Sequence, residues 1–114
     1  MIAIVFEVVP KPGKAADYFA EAASLKAELE QMPGFISVER YESIANAGKF
    51  LSLSFWADEA AVATWRNHQH HRQTQARGRS EIFQDYRLRV ASVIRDYGLY
   101  DRAQAPEDSV LRHS

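Results

Sequence analysis

Two apolar periods follow one another along this sequence in an order that leaves few folds open. Residues 2–9 form a short run rich in β-branched side chains, closed by Pro10-Lys11-Pro12-Gly13, which predicts a strand and then a loop. Alternation sets Ala3, Val5, Glu7 and Val9 on one face of that strand and Ile2, Ile4, Phe6 and Val8 on the other. Over residues 14–32 the period changes. Tyr18, Ala22, Leu25, Leu29 and Met32 step by four and three, the stripe of an amphipathic helix that Pro33-Gly34 stops. Period two returns over residues 35–43. After the Asn46-Ala47-Gly48 turn it continues over residues 50–56, where Leu51, Leu53 and Phe55 alternate with Ser52 and Ser54, so these two strands are expected to pair as an antiparallel hairpin. Asp58 is suited to cap a second helix that carries Ala61, Val62 and Trp65 inward. Helical character weakens over residues 68–81, where Gly78 and few apolar residues predict a kinked piece. Residues 83–95 read as a long last strand with mixed faces, Leu88, Val90 and Ile94 on one and Phe83, Arg87, Ala91 and Val93 on the other.

The order strand, helix, strand, strand, helix, strand is the α+β, ferredoxin-like βαββαβ arrangement, with a four-stranded antiparallel sheet and its helices on one side. The other sheet face is left bare. A second copy packed over it would complete a dimeric α/β barrel, so a homodimer is expected, and 114 residues build only a modest core without one. Residues 1–97 are expected to form the domain and residues 98–114 a C-terminal tail, extended or disordered.

Composition narrows the function classes. Fourteen basic residues are offset by 15 acidic ones for a net charge of −1, and the basic stretch Arg72, Arg77 and Arg79 is followed at once by Glu81 and Asp85, so no nucleic-acid partner is expected. Cysteine is absent, which excludes disulfides, thiolate metal sites and cysteine nucleophiles. The N-terminal apolar run is too short for a membrane span and lacks the basic start of a signal peptide, which predicts a cytoplasmic protein with no membrane partner.

Few side chains suggest chemistry. Glu7, held among Ala3, Val5 and Val9, would be desolvated and could act as a base, or it could form a salt bridge or reach water. His68, His70 and His71 are the other conspicuous group, because neutral imidazole is a base near neutral pH. No carboxylate stands at the spacing of a metal motif, so no metal is expected; the three are expected as solvated helix side chains, His71 being the one that would face a cleft, with His68 three residues before it. Arg87 could pair with Glu7 or with an anionic substrate, and Tyr41 and Tyr86 could donate hydrogen bonds.

Phe55-Trp56-Ala57-Asp58-Glu59 followed by Val62-Ala63-Thr64-Trp65-Arg66-Asn67-His68 resembles the central signature of the antibiotic biosynthesis monooxygenase family. Phe6-Glu7-Val8-Val9-Pro10 and Pro33-Gly34-Phe35-Ile36-Ser37 resemble its first strand and its helix-to-strand turn. The similarity spans roughly residues 1–97. It implies a cleft between sheet and helices in which a small phenol, quinol or anthrone-like substrate is oxidised by O2 without a cofactor. Trp65 matches the family's active-site tryptophan, with Glu7 or His71 as catalytic base and Tyr41, His68 and Arg87 contacting substrate. Some members degrade haem instead, using an asparagine where this chain has Glu7 and an axial histidine where alignment on Trp65 puts Gln75, so haem would need a shifted ligand such as His71. A non-catalytic, dimeric small-molecule-binding protein is the alternative from another class.

Overall fold

The computed structural model describes residues 1–109, apart from the side chains of Gln69 and His70. Strands β1 (Ile2–Pro10), β2 (Phe35–Glu42), β3 (Phe50–Trp56) and β4 (Phe83–Ser92) form one sheet in the order β2-β3-β1-β4, with every pairing antiparallel. Helices α1 (Ala15–Glu30), α2 (Glu59–Arg66) and α3 (Gln69–Arg77) connect them. This is the expected ferredoxin-like topology. The last strand ends three residues earlier than its sequence pattern suggests. Beyond it, one further ladder bond runs from the Val93 N–H to the Met1 carbonyl, at 3.0 Å.

Register fixes which side chains share a face. Ile4 pairs with Ser54 and Val90, and Phe6 with Ser52 and Leu88, so the even-numbered residues of β1, β3 and β4 point together. The helices cover those of β1 and β3, while Tyr86, Leu88 and Val90 on the β4 edge stay exposed. Leu25 and Leu29 of α1, and Ala61, Val62 and Trp65 of α2, pack with Trp56, Ile2, Ile4 and Val38. A second cluster joins Val8, Tyr18 and Ile82 with Phe6, Phe50 and Phe83. The core is thus built in two parts.

Local chemistry sets the joints. Asp58 has extended backbone, and its carboxylate accepts the Ala61 N–H at 2.8 Å, satisfying an otherwise orphaned donor at the start of α2. Gly34 sits at φ +83°, and a Cβ there would lie 2.6 Å from the Ala61 Cβ, so glycine is required both for the turn and for the approach of α2. The weak helical stretch resolves into α3 and a π-helical turn over Gly78–Ile82. At Gly78 a Cβ would meet the Phe83 ring at 2.7 Å, which explains a glycine inside helical backbone.

The opposite sheet face carries Ala3, Val5, Leu51, Leu53 and Phe55, bordered by Glu7, Glu39, Tyr41, Arg87 and Arg89. Neither hydrophobic cluster beneath the helices draws on these residues. Past Ser92 the described chain makes turns: the Gly98 N–H donates to the Asp101 carbonyl at 2.7 Å, and the Arg102 guanidinium lies over the Tyr97 ring. Among the described residues no helix is long and apolar enough to cross a membrane.

Candidate functional site in the sheet–helix cleft

Between the two halves of the core the sheet and the helices do not close, leaving a cavity of about 170 Å³. One cross-strand row, Arg40 (β2), Ser52 (β3), Phe6 (β1) and Leu88 (β4), runs across its floor from one edge of the sheet to the other. Ser54, Ile4 and Val38 supply a parallel row. The roof comes from Tyr18, Ala22 and Leu25 of α1 and from His71, Thr74 and Gln75 of α3. Most of this lining is apolar, with a few polar atoms set into it, the pattern of a small-molecule site.

Trp65 lines the cavity and is also core, at 6% exposure. Its ring has Trp56 at 6.4 Å, His68 at 5.4 Å and His71 at 4.5 Å, the last nearly parallel at 17°. His71 is therefore held as a second flat wall beside it. The His71 Nδ1 lies 3.1 Å from the Trp65 carbonyl oxygen. A carbonyl can only accept, so this hydrogen bond requires the proton on Nδ1, which makes Nε2 the basic nitrogen of the neutral ring.

Of the candidate site residues named from the sequence, Trp65 and His71 meet in the cleft, and Glu7, Tyr41, His68 and Arg87 do not line it. Glu7 projects from the opposite sheet face, where Arg89 at 3.4 Å and Lys49 at 3.7 Å neutralise it, so the salt-bridge arrangement is the one found. Arg87 stands beside Glu7 in register, yet it is Arg89, two residues further on, that reaches the carboxylate. Tyr41 is on that same face and donates from Oη to Glu39 at 2.7 Å. Glu7 and Tyr41 do share a shallow concavity with Lys49, behind the sheet from the cleft. A period of two decides this: odd-numbered β1 residues cannot reach a cleft built on even-numbered ones. His68 packs against Trp65 outside the cavity lining, its Nδ1 3.6 Å from the Glu28 carboxylate. Tyr86 packs against Phe6 and Phe83 without lining the cleft. The His70 side chain lies outside the described residues.

The structure adds residues that pattern reasoning did not single out. Tyr18 reads as one more apolar step of α1, but its buried Oη has no hydrogen-bond partner among the described residues. Burial pushes the Tyr18 phenol above its ordinary value of 10.0, and the nearby Arg40 guanidinium pulls it partly back. Ser52 and Ser54 alternate with large apolar residues, and their shared parity with Trp56 was the available signal. Ser54 is buried, and its Oγ accepts the Trp56 Nε1–H at 3.0 Å. Glu21 also lines the cleft, but Arg77 of α3 pairs with it and clasps the roof together.

No cluster of three or more His, Cys, Asp or Glu side chains suited to a metal occurs among the described residues. Gln75, the residue that alignment on Trp65 sets against the axial histidine of haem-degrading members, lines the cleft, and the described imidazole of the lining is His71, stacked against Trp65.

Known proteins are similar to this chain in sequence and in fold. The sequence model of the antibiotic biosynthesis monooxygenase family matches residues 1–77. A jasmonate monooxygenase from Pyricularia oryzae is 42% identical over 93 residues, 82% of this chain and 43% of that protein, so the chain spans less than half of that relative's length. An uncharacterised Bacillus subtilis protein, YqjZ, is 32% identical over 82% of this chain and 79% of its own length. A solved structure from Mycobacterium tuberculosis superposes with a TM-score of 0.76 at 15% identity, over 85% of this chain and 98% of that one, a likeness of fold alone. Because the matched segment holds β1 to β3 and all three helices, with Trp65 and His71 among them, this chain belongs to the antibiotic biosynthesis monooxygenase family.

Proposed function

We propose that this chain is a monooxygenase that oxidises a small, largely apolar ring compound with O2 in the cleft between sheet and helices. The observation that carries this reading is the pairing of Trp65 with His71: a rigid aromatic wall and an oriented imidazole bordering one apolar cavity. Family membership and the jasmonate monooxygenase relative support the reaction class.

The chemistry follows from the groups present. Nε2 of His71 removes an acidic proton from a phenol, quinol or anthrone-like substrate, and the Trp65 carbonyl holds the imidazolium through Nδ1–H. Stacking beside Trp65 orients the resulting anion and adds about 1 kcal/mol beyond buried area. The anion is electron-rich enough to reduce O2 directly. For a methylene flanked by aromatic rings the balance closes without a cofactor: the CH2 becomes C=O, one oxygen atom enters the product, the other leaves as water, and the substrate supplies all the electrons. A low-dielectric cavity keeps the intermediate from bulk water.

Assembly belongs to the same proposal. The uncovered sheet face, with Val5, Leu51, Leu53 and Phe55 at its centre and charges at its rim, suits a second copy of the chain. An oxygen electrode with a panel of anthrones, quinols and jasmonate tests the reaction. Substrate-dependent uptake that disappears in Trp65→Ala is the expected result. Absence of uptake across the panel, with ligands still binding, would turn the assignment to a non-catalytic binding protein.

A further inference from the structure

Polarity is distributed unevenly along the cleft floor. The cross-strand row Arg40–Ser52–Phe6–Leu88 runs from a cation at the β2 edge to an aliphatic side chain at the β4 edge, all four in register and all lining the cavity. Above the polar end stands Tyr18, whose buried phenol oxygen has the Arg40 guanidinium beside it but no well-formed hydrogen bond among the described residues. A ligand oxygen bound by both groups would complete the hydrogen bonding of each. The two other charges near this end differ from Arg40: Glu21 is neutralised by Arg77, and Glu7 lies behind the sheet. Arg40 has no carboxylate partner among the described residues, so its guanidinium is available for an external one.

We infer that the cleft takes an acidic substrate, a compact apolar body bearing one carboxylate, with Arg40 and Tyr18 binding the carboxylate at the β2 edge and the apolar body lying over Phe6 and Leu25 toward Trp65. Guanidinium and carboxylate match as planar, charge-assisted partners, and the Tyr18 O–H can donate a further hydrogen bond to the same group. Ser52, between Arg40 and Phe6, marks where the polar pole gives way to the apolar floor. Polarity then sets direction: one end of the ligand is fixed, and the other is presented to the Trp65–His71 corner. Arg40 and Tyr18 are binding residues in this scheme and take no part in the oxidation.

This inference rests on the cleft being the ligand site, and the test separates the two claims. Isothermal titration calorimetry at neutral pH would compare 2-naphthylacetate with its methyl ester, on the full chain and on Arg40→Gln and Tyr18→Phe. The acid is expected to bind about tenfold tighter than the ester to the native chain, a gap that should shrink as salt is added because Arg40 is exposed. Arg40→Gln should bring the acid down to the ester's affinity and leave the ester unchanged. Tyr18→Phe should weaken the acid alone, by less. Equal affinities for acid and ester in the native chain, or an acid preference that survives Arg40→Gln, would overturn the carboxylate pole while leaving the cleft as a ligand site. Binding of neither compound would overturn both claims.

Discussion

Replacing Gly34 with alanine tests how α2 is seated over the sheet, and therefore how Trp65 is delivered to the cleft. The substitution imposes two separate penalties. At φ +83° an L-residue pays about 1–2 kcal/mol for the left-handed backbone. The new Cβ would also lie 2.6 Å from the Ala61 Cβ, an overpacking that costs about 1–3 kcal/mol. Restricting the unfolded chain returns about 0.4–1 kcal/mol. The net expectation is a loss of about 1–5 kcal/mol, or roughly 4–19 °C in Tm at an unfolding entropy of about 2.1 cal/mol/K per residue. Thermal and urea unfolding followed by circular dichroism would measure it. A second substitution isolates the clash. With Ala61→Gly in place, the new Cβ would have only the Ala57 Cβ at 3.6 Å and the residue-61 Cα at 4.0 Å, both ordinary contacts. The double variant should therefore exceed the sum of the single effects in stability by about 1–3 kcal/mol. A Gly34→Ala variant within about 0.5 kcal/mol of the native chain, or a coupling near zero, would refute this account of the joint.

Three further outcomes are expected. Tyr18 has a folded pKa above its ordinary 10.0, so its neutral form supports the fold fully below pH 10 and that support is lost as pH rises through the folded value; Tyr18→Phe should flatten the decline of Tm above pH 10. Titration of haemin should give no stoichiometric Soret shift, and a shift followed by bleaching under ascorbate and oxygen would move haem degradation to the front. Light scattering at low micromolar concentration should report about twice the 13.0 kDa chain mass, with Leu53→Glu returning the monomer; a native monomer would remove the barrel assembly.

Element order was legible in the sequence because each segment keeps its own period. The Tyr18-to-Met32 stripe, the Asp58 cap and the inward Ala61, Val62 and Trp65 all appear in the structure as their spacing implies. Face assignment was harder. Alternation shows that β1 has two faces but does not say which one the helices cover, and only the register sets Glu7 on the face away from them, paired with Arg89. Leu51, Leu53 and Phe55 similarly look like the core side of β3. The helices instead cover Ser52, Ser54 and Trp56, which line the cavity, Trp56 being core as well. Arg40 and Tyr18 come together only through the pairing of β2 with β3 and the placement of α1, contacts that no local pattern encodes. The same applies to His71, whose orientation depends on a hydrogen bond to a carbonyl six residues earlier.

Oxygen uptake by His71→Gln and Glu7→Gln, measured side by side on the assembled protein, tests the central claim that oxidation takes place in the sheet–helix cleft. A general base contributes typically about 10²–10⁴-fold, so His71→Gln should lower kcat by at least about a hundredfold and Glu7→Gln should leave it near the native value. Loss of activity in Glu7→Gln with full activity in His71→Gln would place the chemistry on the opposite sheet face and contradict the account.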